Sequence, residues 1–458
     1  MVLPFENRTG DPEQDYLSEG IADEVRTELG RLNPERLRVI ARASSLPYRD
    51  RTIPLDQIGR EAGVDYVLDG RARREGSRVR INAELTHVGD GTQVWADSFD
   101  REIASILTLQ SDVARGVASS LALELLPDDE SRLAAGRYVN PEAYEAYLRG
   151  VSYVERSTTA DFDIAMQYFE LALERDPRFA RAYTGIAHVW SARQQGGLVA
   201  PAVARPKQRA ALDRALELDP MLPDALYGRA AQQTWSDWEW ATAEPLFQRA
   251  IDLDPGHAKA RAYYAHYLHR MGRVEEALAQ AERALEWDPL NAEIRATVGG
   301  AYLMARRYDE ALEHFQAVAR MEPGSLRSLV GIANSLHYAE RWEEAWEAER
   351  ALVSMGRGDG ELAEALTAGY AEGGYREAML RAAGVLESRA LSSTAGANRV
   401  ARYYLFAGDA ERALDWLERA FEQRDPGLPY LASGHKNFDL VRGHPRYREL
   451  LRRLNLPG

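Results

Sequence analysis

The chain has 458 residues, enough for two or three domains, and 45% of them are hydrophobic. No run approaches the roughly 18 consecutive apolar residues of a membrane span, and no charged-then-apolar signal segment opens the chain, so membrane insertion is not expected and the chain as encoded reads as cytoplasmic. The formal net charge of -14 disfavours a nucleic-acid partner, which needs a basic face, and the absence of cysteine excludes disulfides, thiolate nucleophiles and cysteine-based zinc sites.

Residues 1–127 read as mixed α and β. Met1 to Phe5 is a short apolar run, followed by turn formers from Asn7 to Pro12. Ile21, Val25, Leu29 and Leu32 recur at helical spacing, Leu37 to Ile40 is a strand candidate, and Ile58 to Ala62 suits a short helix. Val79, Ile81, Ala83 and Leu85 alternate with Arg80, Asn82 and Glu84, which predicts a strand with one wet face. Glu75-Gly76-Ser77 and Gly89-Asp90-Gly91 mark hairpin turns on either side of it, and Val113, Val117 and Leu121 mark a closing helix. The class is α+β, a small sheet with helices on one face. The cluster Arg71, Arg73, Arg74, Arg78 and Arg80 lies among Asp65, Asp69, Glu75 and Glu84, which favours a solvated, salt-bridged sheet face over a nucleic-acid patch.

Residues 128–142 form a charged linker, and from 143 to 426 a pattern returns at a step of 34 residues. Ala243, Phe247, Ala250 and Asp254-Pro255 are followed by Ala277, Ala281, Ala284 and Asp288-Pro289, then by Ala311, Phe315, Val318 and Glu322-Pro323. Such a period marks stacked helical hairpins. Small residues let the two helices approach, Pro and the residue before it stop the second helix, and Gly272 and Gly408 suit the left-handed residue that closes the first. The step is stretched between Gly196 and Pro206, and no closing Pro stands near Arg357. About eight hairpins are expected, and residues 427–458, in which Tyr447, Leu450, Leu451 and Leu454 share a helical face, are expected to cap the stack.

The pattern resembles the tetratricopeptide repeat: Gly299, Tyr302, Tyr308, Ala311, Phe315 and Pro323 follow that family's order of small, aromatic and Pro positions. Residues 1–127 resemble the TolB-like amino-terminal domain of bacterial signalling proteins through Val2 to Asn7, Gly10 to Glu13, Tyr16 to Gly20, Val39 to Arg42 with Ser44-Ser45, Gly63 to Leu68, and Val94 to Ala96. Phe438 to Arg442, His444 to Tyr447 and Leu450 to Leu454 look like the segment that often ends these arrays. The resemblance implies a multidomain chain, a small α+β domain followed by an all-α tetratricopeptide superhelix. In that family an output domain commonly precedes the TolB-like part: a nucleotide cyclase, a Ser/Thr kinase or a winged-helix DNA-binding domain. The chain begins at the strand itself, which leaves open a longer natural chain, extracytoplasmic if a membrane span lies upstream.

No phosphate loop, dinucleotide fingerprint, nucleophile elbow or His-Glu-x-x-His motif is found, so an enzyme and a cofactor are not expected. His266 and His269 lie one turn apart, a spacing that a metal pair could use, but no carboxylate stands at matching spacing and a solvated helix face is favoured. Trp235, Trp238 and Trp240 read as packing at a helix turn. Tyr264, Ala265 and Leu268 face the partner helix, leaving His266, His269 and Arg270 on the side that lines the concave groove in tetratricopeptide proteins. The same phase carries Asn334, His337 and Tyr338, an apolar belt at Leu303 and Met304, and Arg181, His188 and Lys259. The Lys and Asn pattern that clamps a peptide carboxylate in some members is not evident. The expected function is a non-enzymatic scaffold that binds a peptide or protein in this groove. The alternative is the regulatory region of a signalling protein whose output domain lies outside this chain. The sequence leaves the oligomeric state open.

Overall fold

The computed structural model describes residues 1–32, 36–49, 52–122, 140–156, 158–195, 198–355, 360–391, 396–425 and 427–457. Gly196, Arg357, Pro426 and nearly all of the linker from Pro127 to Asn140 lie outside them. The chain falls into two compact units, Met1–Ala260 with Glu286–Leu290, and Arg261–Leu285 with Asn291–Gly458.

The first unit opens with a four-stranded sheet in the order β1 (Glu6–Asn7), β2 (Tyr66–Glu75), β3 (Arg78–His87), β4 (Gln93–Glu102). β1 runs parallel to β2, and β2 to β4 form an antiparallel meander with Leu68 opposite Leu85 and Ile81 opposite Phe99. The alternation read from β3 holds: Val79, Ile81, Ala83 and Leu85 are buried while Arg78, Arg80 and Asn82 are exposed. Helices α1 (Asp15–Arg31) and α3 (Ile106–Ser120) bury Ile21, Val25, Val113 and Val117 against that face. Val67, adjacent to Leu68 and so on the opposite face, packs with Ile58 and Ala62 of α2 (Leu55–Ala62). Helices therefore cover both faces at this end, not one.

Leu37 to Ile40 forms no strand. Val39 and Ile40 are buried by packing instead, and the next residue, Ala41, donates its amide to the Trp287 carbonyl. Ser44 donates both its amide (3.1 Å) and its hydroxyl (2.5 Å) to the Asp288 carboxylate, and its oxygen accepts from the Leu290 amide. The arginine cluster is paired with carboxylates: Arg78 and Arg80 with Asp100, Arg73 with Glu75, Arg71 with Glu6 and Arg74 with Glu145.

Helices then alternate as first and second members of hairpins. In the first unit α4 (Pro141–Arg156) precedes α5 (Thr159–Arg175), α6 (Ala180–Gln195) precedes α7 (Pro201–Leu218), and α8 (Pro223–Gln232) precedes α9 (Trp240–Leu253). They continue as α10 (Ala258–Arg270) with α11 (Val274–Trp287), α12 (Ala292–Met304) with α13 (Tyr308–Met321), and α14 (Leu326–Tyr338) with α15 (Trp342–Met355). The helix α16 (Gly360–Ala390) is broken at Gly373-Gly374, and α17 (Ala397–Ala407) and α18 (Ala410–Glu422) follow. Each small position has a geometric cause. A Cβ on Gly150 or Gly185 would sit 2.6 and 2.5 Å from the Phe169 ring, so that ring occupies the space two glycines leave. Gly299 and Gly331 flank Phe315 in the same way.

The repeat also shows in backbone conformation. Trp238, Gly272, Arg306, Glu340, Gly374 and Gly408, each 34 residues apart, all take positive φ. Arg273, Arg307, Arg341 and Asp409 then return their amides to Leu268, Tyr302, Leu336 and Tyr404, which satisfies the last carbonyls of the first helices. The second helices α5, α7, α9, α11 and α13 end on the residue before Asp176, Asp219, Asp254, Asp288 and Glu322, the positions that precede Pro.

Candidate functional site

The first-helix side carries the groove residues, and the second unit shows what lies on them. His269 and Arg270 are fully buried, Leu303, Met304 and Tyr338 nearly so, and His266, Asn334 and His337 partly. The solvated face read from the sequence is therefore corrected: residues 428–440, two short 3-10 turns at Leu428–Ala432 and Lys436–Leu440, cover it.

The contacts are specific. Tyr430 lays its ring 4.0 Å beneath the Arg270 guanidinium, and its hydroxyl is 3.2 Å from His266 Nδ1. Arg270 Nη1 also donates to the His266 carbonyl at 3.2 Å. At Gly434 the backbone comes so near the Met304 carbonyl that a Cβ would overlap it. Lys436 Nζ donates to the Tyr338 carbonyl and to Glu340 Oε1, each at 2.8 Å, and Arg306 pairs with Asp439. His435 stands 6.0 Å from the Tyr338 ring.

A second layer lies beyond. The His337 ring stacks on Phe406 at 3.8 Å, and its Nδ1 is 3.1 Å from the Tyr375 hydroxyl. Arg402 donates to Asn334 Oδ1 and to the fully buried Glu349, each at 3.2 Å, and Glu349 also accepts from Tyr403 at 3.0 Å. Burial works against the Arg402 charge, but Glu349 and the neighbouring tyrosines more than offset this and raise its pKa. Arg402 and Phe406 were missed in the sequence, though the 34-residue step, taken twice from Asn334 and Tyr338, reaches both. Tyr430, Gly434 and Lys436 lie outside the periodic region and carry no comparable signal.

Burial sets the histidine chemistry. Desolvation first, then nearby cations, lowers His266 and His337 to about 3 and His435 to about 4, and His269 is also held well below its usual range. Neither His269 ring nitrogen has a hydrogen-bond partner among the described residues. No group of three His, Asp or Glu able to hold a metal ion occurs among the described residues.

Arg181, His188 and Lys259 belong to the first unit. Arg181 pairs with Glu24 of α1 at 2.5 Å and lies over the Tyr147 ring. Burial disfavours its charge, but the Glu24 carboxylate raises its pKa well above the usual value. It borders a cavity of about 240 Å³ lined also by Glu19, Asp23, Arg42 and Asp224. His188 and Lys259 are exposed. The core beneath α1 runs without a break from Ile21 and Val113 to Tyr144, Leu148 and Phe179 of the first hairpins.

Residues 239–299 match the tetratricopeptide repeat family. The array is tetratricopeptide-like. The chain is 35% identical over 186 residues to a Rhizobium meliloti (strain 1021) protein named "Putative adenylate cyclase 3", a stretch covering 41% of this chain and 31% of that protein. The chain thus spans about a third of that relative's length. Among solved structures it is similar to YrrB, a tetratricopeptide protein with an unusual peptide-binding site (21% identity, TM-score 0.29, 45% of this chain and 97% of that one). It is also similar to PilW, a type IV pilus biogenesis factor (16% identity, TM-score 0.40, 49% and 98%), and to a human IFIT1 dimer with m7Gppp-AAAA (16% identity, TM-score 0.44, 69% and 77%). No helix among the described residues is long and apolar enough to cross a membrane.

Proposed function

We propose that the chain is a non-enzymatic interaction protein whose tetratricopeptide hairpins bind a peptide or protein through their first-helix side. The observation that carries this is the 34-residue repeat itself: its phase puts His, Asn, Tyr, Arg and Lys at matching positions of successive first helices, a composition suited to a polypeptide. In this reading residues 1–127 form a TolB-like domain, 128–142 a linker, 143–426 an array of about eight hairpins and 427–458 a carboxyl-terminal segment, of which 428–440 lie on the first-helix side instead of the end of the stack.

The test uses the exposed groove residues, because substituting them leaves the core intact. Affinity capture from the source lysate compares the wild-type chain with a His188→Asp, Lys259→Glu variant. The reading expects at least one partner to be lost. A variant that keeps every partner contradicts it.

The named relative fits a second reading, in which these residues regulate a signalling output encoded in the same polypeptide. The matched stretch is less than a third of that protein, so its activity is not carried over. An in-frame cyclase, kinase or winged-helix domain upstream in the source DNA would support this second reading.

A further inference from the structure

The residues that bury the first-helix side of α10, α12 and α14 belong to the chain itself, and they do so in an unusual way. The hairpin core at α10 is built by Tyr264, Ala265 and Leu268, each nearly or wholly buried. His269 and Arg270 add little to that core, yet both are fully buried. An apolar pair would close a helix stack at lower cost than a desolvated guanidinium, which stabilises only when its partner is well placed. The chain places one: the Tyr430 ring under Arg270, with the Tyr430 hydroxyl against His266.

The covering segment has the form of a bound peptide. It consists of short 3-10 turns, and it meets the first-helix side through an aromatic ring, a glycine backbone and a lysine, while Leu428, Leu431 and Phe438 are buried and Tyr447 holds the Leu431 carbonyl. Lys436 is held by one backbone carbonyl and one exposed carboxylate, Glu340. Asp439 and Leu440, at its end, are exposed. Contacts of this kind, a buried aromatic anchor with charged partners at the rim, suit reversible association.

We infer that residues 428–440 are a tethered ligand of the first-helix side, and that the partner which displaces them is a peptide carrying a tyrosine and a lysine at the spacing of Tyr430 and Lys436. The tether keeps the side closed by a high effective concentration, so an outside peptide binds only when its affinity exceeds that advantage. This inference rests on the proposed function and names the partner class of the same site.

The probe is a fluorescent peptide with the sequence of residues 427–441, titrated by anisotropy into the full chain. Gly434→Val in the full chain sets a Cβ against the Met304 carbonyl, which should drive the segment off it, and it changes no residue of the array. The variant is expected to bind the peptide about tenfold or more tightly than the wild type, since displacing the tether is what the peptide must otherwise do. Adding Arg270→Ala should reverse the gain. A folded variant that binds no better than wild type overturns the inference.

Should the variant fail to fold, hydrogen exchange of the wild-type chain decides. Amides of residues 428–440 are expected to exchange at least tenfold faster than those of Ala292–Met304, and faster still with excess peptide; equal protection insensitive to the peptide overturns the inference. Partners lost by the His188→Asp, Lys259→Glu variant without any peptide gain at Gly434→Val would leave the proposed function standing and this inference refuted. A peptide gain with no partner captured would do the reverse.

Discussion

The Arg270 guanidinium lies 4.0 Å over the Tyr430 ring, and through this pair the last part of the chain closes the side of the array that the repeat alone would leave open. A desolvated cation over an aromatic face contributes about 2 kcal/mol, and the bond between Tyr430 and His266 about 1 kcal/mol more. Tyr430→Phe keeps the ring and should cost about 1 kcal/mol. Tyr430→Ala loses both and should cost about 3 kcal/mol, read as a shift of the urea midpoint at unchanged slope.

The Glu349–Arg402 pair predicts a second, larger effect. Glu349 is fully buried and bonded to both Arg402 and Tyr403, so Glu349→Ala leaves the partly buried Arg402 guanidinium and the buried Tyr403 hydroxyl without that carboxylate and should destabilise by about 3 kcal/mol. Replacing both partners, with Glu349→Leu and Arg402→Met, should restore most of that loss in thermal unfolding.

Acid should loosen the second unit before it affects carboxylates. His266, His337 and His435 have folded values of about 3, 3 and 4. The unfolded chain therefore binds protons that the native state refuses. Their contribution is complete above the unfolded value of about 6.5 and is lost as pH falls towards the folded values. For His257, in the first unit, burial disfavours the charge but the Asp224 carboxylate more than offsets this and raises its pKa, so its contribution has the opposite sign and fades only above about 6.5. Unfolding free energy should drop between pH 6 and 4.5 by up to about 1.4 kcal/mol per pH unit for each such histidine. His337→Leu should flatten the slope by about one proton, and a slope unchanged by it would refute this assignment.

The turn positions give a prediction with a built-in control. Gly272 has φ 71°, and a Cβ placed on it would stand 3.8 Å from its nearest neighbour, so Gly272→Ala meets backbone strain alone and should cost about 1–2 kcal/mol. Gly300 lies inside α12 with nothing within 4 Å, and Gly300→Ala should stabilise by about 0.5–1 kcal/mol. Both are read from chemical denaturation.

Much of the array was legible because its signals are local. Asp254-Pro255, Asp288-Pro289 and Glu322-Pro323 stop helices by steric rules that act between neighbours, and Gly272 and Gly408 close them by their own conformational freedom. The same period put His266, Asn334 and Tyr338 on one side. What covers that side was not legible, because Tyr430 and Lys436 lie in aperiodic turns and their partners are far away in the chain. Leu37 to Ile40 misled for a related reason. Alternating apolar residues signal burial, and here the burial comes from packing without a strand partner.

The account turns on whether Arg270 and Tyr430 act together, and a double-mutant cycle measures that directly. Arg270→Met, Tyr430→Leu and the double variant are unfolded in urea beside the wild type. A coupling energy of about 1–2 kcal/mol is predicted. Additivity within about 0.5 kcal/mol would mean that Tyr430 does not sit on Arg270, and would contradict the closed first-helix side.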